Sequence, residues 1–209
     1  MGRRFRDGDS RIGCRPAKLD PKHRILIVCE GKVTEPEYFR ALQHEFRNRL
    51  VHVEIDKQAG VPLTVVERAI ALDETAKDES RYNKDDNLRF DEVWCVFDVD
   101  EHPRLDDALK LAKESGFEVA LSYPCIELWA LLHFTERSER IHRREAQSSL
   151  REFLPKYDKK LDFRRMHGGY TKAVERAQAL QKTADAVGDS KRNPSTGVYR
   201  LTERIRLGG

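Results

Sequence analysis

The sequence predicts an α/β protein: a four-stranded, mostly parallel, doubly wound sheet flanked by helices, with a helical elaboration at its C-terminal end. Two observations carry that expectation. Between Arg24 and Phe134, short β-branched and aromatic runs alternate with helical patterns in the order βαβαβαβα. Such an order builds parallel strands joined by helical crossovers. After Thr135 the strand-like runs stop and charged helical segments follow.

The pattern centres on Val93-Trp-Cys-Val-Phe97, five consecutive apolar residues that read as a strand buried on both faces. Before it, residues 24–30 (RILIVCE) form a first buried strand ending on an acid, and Gly31-Lys32 makes the turn. Thr34-Glu-Pro-Glu37 has capping-box spacing, with Thr34 as N-cap and Glu37 at the third helical position. That helix runs from about Glu35 to Arg47, with Tyr38, Leu42 and Phe46 on one stripe. Residues 50–55 alternate like a strand nearer an edge. Val61-Pro62 opens a helix reaching about Lys77, and residues 78–91 read as a polar loop.

A helix over Pro103–Ser115 is closed by Gly116. Residues 117–122 give the fourth strand, and Pro124–Phe134 an apolar, well-buried helix. The charged segments Arg143–Phe153 and Tyr170–Thr183 are helical, with Gly168-Gly169 between them, and Asn193–Thr196 caps a last helix through Arg206. Residues 1–22 hold little apolar material and read as a basic, mobile arm. This leaves residues 23–209 as one domain, with its core in 23–135 and its helical elaboration in 136–209.

Composition narrows the function. Hydrophobic residues make up 39% and charged residues 36% of 209, which describes a heavily charged globular chain. No apolar run approaches the roughly 20 residues that span a bilayer. Cys14, Cys29, Cys95 and Cys125 are scattered without zinc spacing, and no apolar segment follows the basic N-terminus, so the expected compartment is the cytoplasm. Net charge is only +3, but it is unevenly spread. Residues 1–24 carry eight Lys/Arg against three Asp, and residues 137–165 carry ten against five acids. Basic segments flanking an acidic site suit a polyanion, although a solvated helix face would look the same. There is no P-loop, no G-x-S-x-G elbow and no G-x-G-x-x-G after a strand.

The acids are the candidate site. Asp98 and Asp100, two residues apart where the central strand runs out, leave the backbone on the same side. Two adjacent carboxylates resist burial unless a cation or a shared proton compensates them, and Mg²⁺ or Mn²⁺ prefers such oxygens. Glu30 ends the first strand, and Glu127 lies in the first turn of the helix after the fourth. In a parallel sheet these ends share one edge, where ligands bind. Glu35 and Glu127 also have a plain structural reading, as acids complementing a helix dipole. Asp100 would cap the next helix only if Pro103 did not open it, which moves the cap to His102. Lys32, His102, His133 and His167 are weaker candidates, His133 reading as a core histidine. Lys172, after Gly168-Gly169-Tyr170, is a candidate electrostatic stabiliser among the catalytic groups.

With Glu30-Gly31 after strand one and Asp98-x-Asp100 after strand three, the sequence resembles the Toprim fold, a Rossmann-like fold shared by topoisomerases, primases and OLD-family nucleases. More closely it resembles the RloB-like family of bacterial and archaeal proteins, often encoded beside restriction-modification and other defence genes. The matching stretches are ILIVCEGKVTEPEYF (25–39), VWCVFDVDEH (93–102), SYPCIELWALLHF (122–134) and NPSTGVYRL (193–201). The resemblance implies that Glu30 is a general acid/base with a share in metal binding, and that Asp98 and Asp100 hold Mg²⁺. By similarity to OLD-type nucleases, it implies a second metal site at Glu35 and Glu127, where the local spacing differs.

The expectation is therefore a Mg²⁺- or Mn²⁺-dependent endonuclease acting on DNA or RNA in defence against foreign nucleic acid. Lys32, Arg143, Arg144, Arg164 and Arg165 would hold the strand. A partner ATPase or restriction-system protein is an expected associate, and no membrane is. Two rivals remain: a Toprim-like module that binds nucleic acid or a partner without cutting, and a receiver-type phosphotransfer domain. The paired aspartates and the missing fifth-strand lysine count against the last.

Overall fold

The computed structural model describes residues 22–208 except 57, 59, 100, 101, 103 and 190. The expected arm before Lys22 and the candidate ligand Asp100 therefore lie outside the described residues. Five strands form one sheet: β1 (His23–Cys29), β2 (Val51–Ile55), β3 (Glu92–Asp98), β4 (Glu118–Tyr123) and β5 (Ser195–Thr196). Their spatial order is β2-β1-β3-β4-β5, with the first four parallel and β5 antiparallel to β4. The mixed, mostly parallel α/β class is as expected, but there is one more strand. β5 is two residues long, too short for any periodicity. It joins the sheet through the Ser122 and Thr196 hydroxyls, 2.9 Å apart, and the Gly197 N–H donated to the Leu121 carbonyl at 2.7 Å.

Among the described residues, eight α-helices surround the sheet: α1 (Thr34–Phe46), α2 (Pro62–Asn83), α3 (Leu105–Glu114), α4 (Ile126–Leu132), α5 (Arg143–Phe153), α6 (Phe163–Met166), α7 (Tyr170–Ala186) and α8 (Val198–Leu207). Strand alternation divides the core in two. Leu26, Val28, Val93, Cys95 and Phe97 face Val65, Val66 and Ala69 of α2 and Ala108 and Ala112 of α3. Ile25, Ile27, Trp94 and Val96 face the larger layer, made by α1 and α4–α8. The side chains of α4 are buried on all sides, so its apolar run shows no polar stripe. Its Trp129 indole donates to the Tyr38 hydroxyl at 2.6 Å, and its C-terminal neighbour His133 donates from Nδ1 to the Trp129 carbonyl at 3.0 Å. Burial lowers the His133 pKa to about 4, the behaviour of a neutral core histidine.

Residues 193–196, expected to cap the last helix, instead contain β5, and Gly197 is the N-cap of α8. Two further departures have clear physical reasons. The helix expected to end near Lys77 continues to Asn83, supported by the Asp73–Lys77 pair at 2.5 Å and by Arg81 paired with Asp78. Polar composition alone made residues 78–83 look like a loop. Nor does the capping box form. Thr34 is already helical, Val33 occupies the N-cap without a side-chain bond, and Glu37 pairs with Arg40.

The turn between α6 and α7 shows why the two adjacent glycines are not equivalent. A Cβ on Gly169 would fall well inside contact distance of the His133 backbone carbonyl, whereas one on Gly168 meets nothing within 4 Å. Gly169→Ala should therefore lose about 1–3 kcal/mol, because backbone cannot rotate out of the way. Gly168→Ala should be neutral or gain about 0.4–1 kcal/mol from the stiffer unfolded chain. Urea unfolding midpoints test the pair, and equal destabilisation by both would refute this packing account.

Candidate functional site

The crossovers change direction between β1 and β3. The chain leaves β1 outward to β2 and returns past it to β3, and a crevice opens beyond the strand ends at such a switch point. Glu30 follows β1 directly, and its Oε2 accepts the backbone N–H of Asp98 at 3.1 Å, tying the two strand ends together. Its Oε1 lies 3.4 Å from His102 Nε2. Asp98, the last residue of β3, is 7% exposed and accepts from Arg143 Nη2 at 3.1 Å.

Glu35 and Glu127 enter from helix first turns and are 5% and 4% exposed. Glu35 folds back over the turn, where Gly31 N–H supports its carboxylate. A Cβ on Gly31 would collide with that carboxylate, so glycine is the residue that leaves room for it. Glu127 Oε1 accepts from the Tyr157 hydroxyl at 2.6 Å and from Gln147 Nε2 at 2.9 Å. The resulting cavity, about 450 Å³, is lined by all four acids together with Lys32, Arg143, Gln147 and Lys159.

The four charges are compensated unequally. Burial would raise Glu127, but the Cys125 thiol, the Tyr157 hydroxyl, its own N–H and Gln147 outweigh it, and its pKa falls. Asp98 goes the other way. Burial pushes its pKa well up, Glu35 adds to the rise, and Arg143 only partly opposes it. Burial also raises Glu35, with Glu30 and Glu127 adding repulsion against the help of two backbone N–H groups. Negative charge at Glu35 and Asp98 is thus under-compensated, and carboxylate oxygens are the donors a hard divalent cation takes. The donor chemistry fits Mg²⁺ or Mn²⁺. Among the described residues, however, no three His, Cys, Asp or Glu side chains already form a ligand group.

A second cleft, about 580 Å³, opens at the opposite edge of the sheet around Glu92, Trp94, Arg200 and Arg204. Its central acid differs in kind. Arg204, the Trp94 indole and His23 all bond Glu92, and they lower its pKa despite burial.

The structure thus brings Glu30, Glu35, Asp98, Glu127 and Lys32 together. Arg143, expected to hold the strand, lines the crevice and contacts Asp98. Arg144 is exposed beside a neighbouring cavity. Arg164 and Arg165 sit exposed on α6, Arg164 paired with Asp162. Lys172 does not line the crevice: α7 turns Tyr170 and Ala173 inward, leaving Lys172 outside at 3.5 Å from Glu175. Four partners were not visible in the sequence: Lys159, in a left-handed turn, and the Glu127 donors Cys125, Gln147 and Tyr157. Cys125 stands two residues before Glu127 at the start of the same helix, while α5 and the segment after it bring in Gln147, Tyr157 and Lys159.

Fold and crevice define the class: an α/β protein with carboxylates gathered at the switch point of a parallel sheet. Within that class the chain belongs to the RloB-like protein family, whose model matches residues 25–205. No curated protein and no solved structure matches it.

The unequal compensation has a pH signature. Folded Glu35 holds its proton to higher pH than the unfolded chain does. The folded state therefore binds more protons just above the ordinary carboxylate range, and stability falls as pH rises through that window. Glu35→Gln removes this titration. In metal-free buffer it should melt above the wild type near neutral pH, by about 2–4 °C per kcal/mol relieved, and level with it at about pH 4. A gap that does not change with pH would assign the effect to packing instead of charge.

Proposed function

We propose that this protein is a Toprim-type phosphodiesterase that uses Mg²⁺ or Mn²⁺ to cut nucleic acid, in the restriction-associated defence setting that its family resemblance implies. The observation that carries the reading is the junction of Glu30 and Asp98 at the switch point, where buried Asp98 and its neighbour Glu35 are left short of positive charge. Asp98 and Glu30, with Asp100 beyond the described residues, would hold the cation, and Glu35 and Glu127 would serve a second site. When bound, such a cation activates water and offsets charge on the scissile phosphate.

The chain's own groups supply the rest. Glu30 is fixed through one oxygen to the Asp98 N–H, and its other oxygen faces His102, so it is placed to hold and move a proton. Arg143 keeps Asp98 in place and presents a guanidinium at the crevice wall. Lys32 and Lys159 flank the same wall and suit a phosphate backbone, whose binding would be salt-dependent and largely blind to sequence.

One observation favours a second reading. Each crevice acid already has a donor in the chain, and the described side chains form no ready metal group. A Toprim-like module that grips nucleic acid, a partner ATPase or a restriction-system protein without cutting would look the same. Purified protein incubated with transfer RNA, single-stranded DNA or plasmid, in Mg²⁺, Mn²⁺ or EDTA, separates the two. We expect metal-dependent cutting that Asp98→Asn abolishes and that Glu30→Gln slows by about 10²–10⁴-fold. Cutting that survives Asp98→Asn would place the chemistry elsewhere. No cutting, with both proteins binding equally, would favour the module.

A further inference from the structure

We propose that the basic cavity beside the carboxylate crevice is a groove for an unpaired stretch of polynucleotide, with Arg140 and Arg144 as phosphate contacts and Tyr123 as a stacking platform. This rests on the phosphodiesterase reading of the crevice and names the form of its substrate. The cavity holds about 730 Å³, and Tyr123, Arg140, His142, Arg143 and Arg144 contribute to its wall. No carboxylate stands among the described residues that line it. Arg143 lines this cavity and the crevice alike, so the two share a wall at the guanidinium that contacts Asp98.

The groove is fixed in advance. Ile141 is 2% exposed, its N–H donates to Asn193 Oδ1 at 3.0 Å, and Asn193 Nδ2 donates to its carbonyl at 2.8 Å. His142 continues the strap in extended backbone and serves as N-cap of α5 without a side-chain bond. Neighbours of an inward residue on extended backbone point outward, and Arg140 and His142 are both exposed. Arg144 follows in the first turn of α5. Among the described residues neither Arg140 nor Arg144 has an acidic partner. Guanidinium groups on an anchored concave wall match successive phosphates.

The aromatic decides between strand forms. Tyr123 ends β4 half-buried and is the one aromatic among the described residues that line the cavity, apart from the His142 imidazole. The bases of a duplex are stacked on one another, and an aromatic ring inside a pocket can be reached only by a base that has left the stack. A duplex would meet the arginines at the rim and leave Tyr123 unused.

Fluorescence anisotropy on the full chain in EDTA tests this without cleavage, using labelled single strands of ribose and deoxyribose and a duplex of the same sequence. The expected result is tighter binding of a single strand than of the duplex. Arg140→Ala with Arg144→Ala should weaken single-strand binding by about ten-fold or more, and reduce the salt slope by about 1.4, at about 0.7 per phosphate. Tyr123→Leu should weaken single-strand binding by about 5- to 100-fold and leave the duplex unaffected, while Tyr123→Phe binds like the wild type. Preference for either sugar supports the groove and identifies the substrate. A duplex bound as tightly as the single strands, or unchanged affinity and salt slope in the arginine variant, overturns it. Loss of binding in Tyr123→Phe as well as in Tyr123→Leu would overturn the stacking role. Because no metal is present, failure here is distinct from failure of the phosphodiesterase reading, which the cleavage assay judges.

Discussion

Parallel strands end on one edge, so any acids at their ends must share a small volume. Here Glu30, Asp98 and the first-turn residues Glu35 and Glu127 meet in one crevice, and three of the four are buried. Buried like charges are costly unless something opposes them. The opposing groups come largely from outside the α/β core. Arg143 and Gln147 belong to α5, and Tyr157 to the segment after it. The C-terminal helices therefore do more than cover the sheet: without them, Asp98 would lose the Arg143 guanidinium, and Glu127 would keep only the Cys125 thiol and its own N–H.

Compensation by different donors has different consequences. Glu127 is answered by neutral dipoles at short range, which hold it ionised while adding no positive charge to the cavity. Asp98 has one cation against burial and three neighbouring acids, and Glu35 has only backbone N–H groups. The crevice therefore keeps a local excess of negative charge, despite the basic balance of the surrounding segments. A site meant only for rigidity would have been neutralised, as Glu92 is at the opposite edge by Arg204, Trp94 and His23.

What the sequence disclosed and what it hid follow from the range of the interactions involved. Val93–Phe97 and residues 24–30 are continuous apolar runs, so strand identity and the acids at their ends could be read locally. The charged segment Arg143–Phe153 was likewise read with the bounds of α5, whose Ala146 and Leu150 face inward. β5 was not, because two residues carry no period and their place depends on Leu121 and Ser122, more than 70 residues earlier. Lys172 looked near the site because glycines precede it, but helix phase turned it outward. Arg143 was assigned to the strand-holding surface for its charge. Its contact with Asp98, 45 residues away, depends on how α5 docks, which no local pattern encodes.

That docking can be traced back to the edges of the sheet. β5 pairs with β4, and Asn193, just before it, clamps Ile141 on both backbone groups. Ile141 sits two residues before α5, so the residue that leads into the last strand also holds the approach to α5. At the far end of the chain, Asn48 beside β2 donates to the carbonyls of Ile205 and Arg206, holding α8 against the other side. The C-terminal segment is thus fastened at both borders of the sheet, with α5 between. Arg143, in the first turn of α5, reaches Asp98 from a helix start that Asn193 clamps, and Asn193 stands two residues before the strand that closes the sheet. The placement of a crevice residue thus depends on a clamp beside a two-residue strand that does not itself line the site.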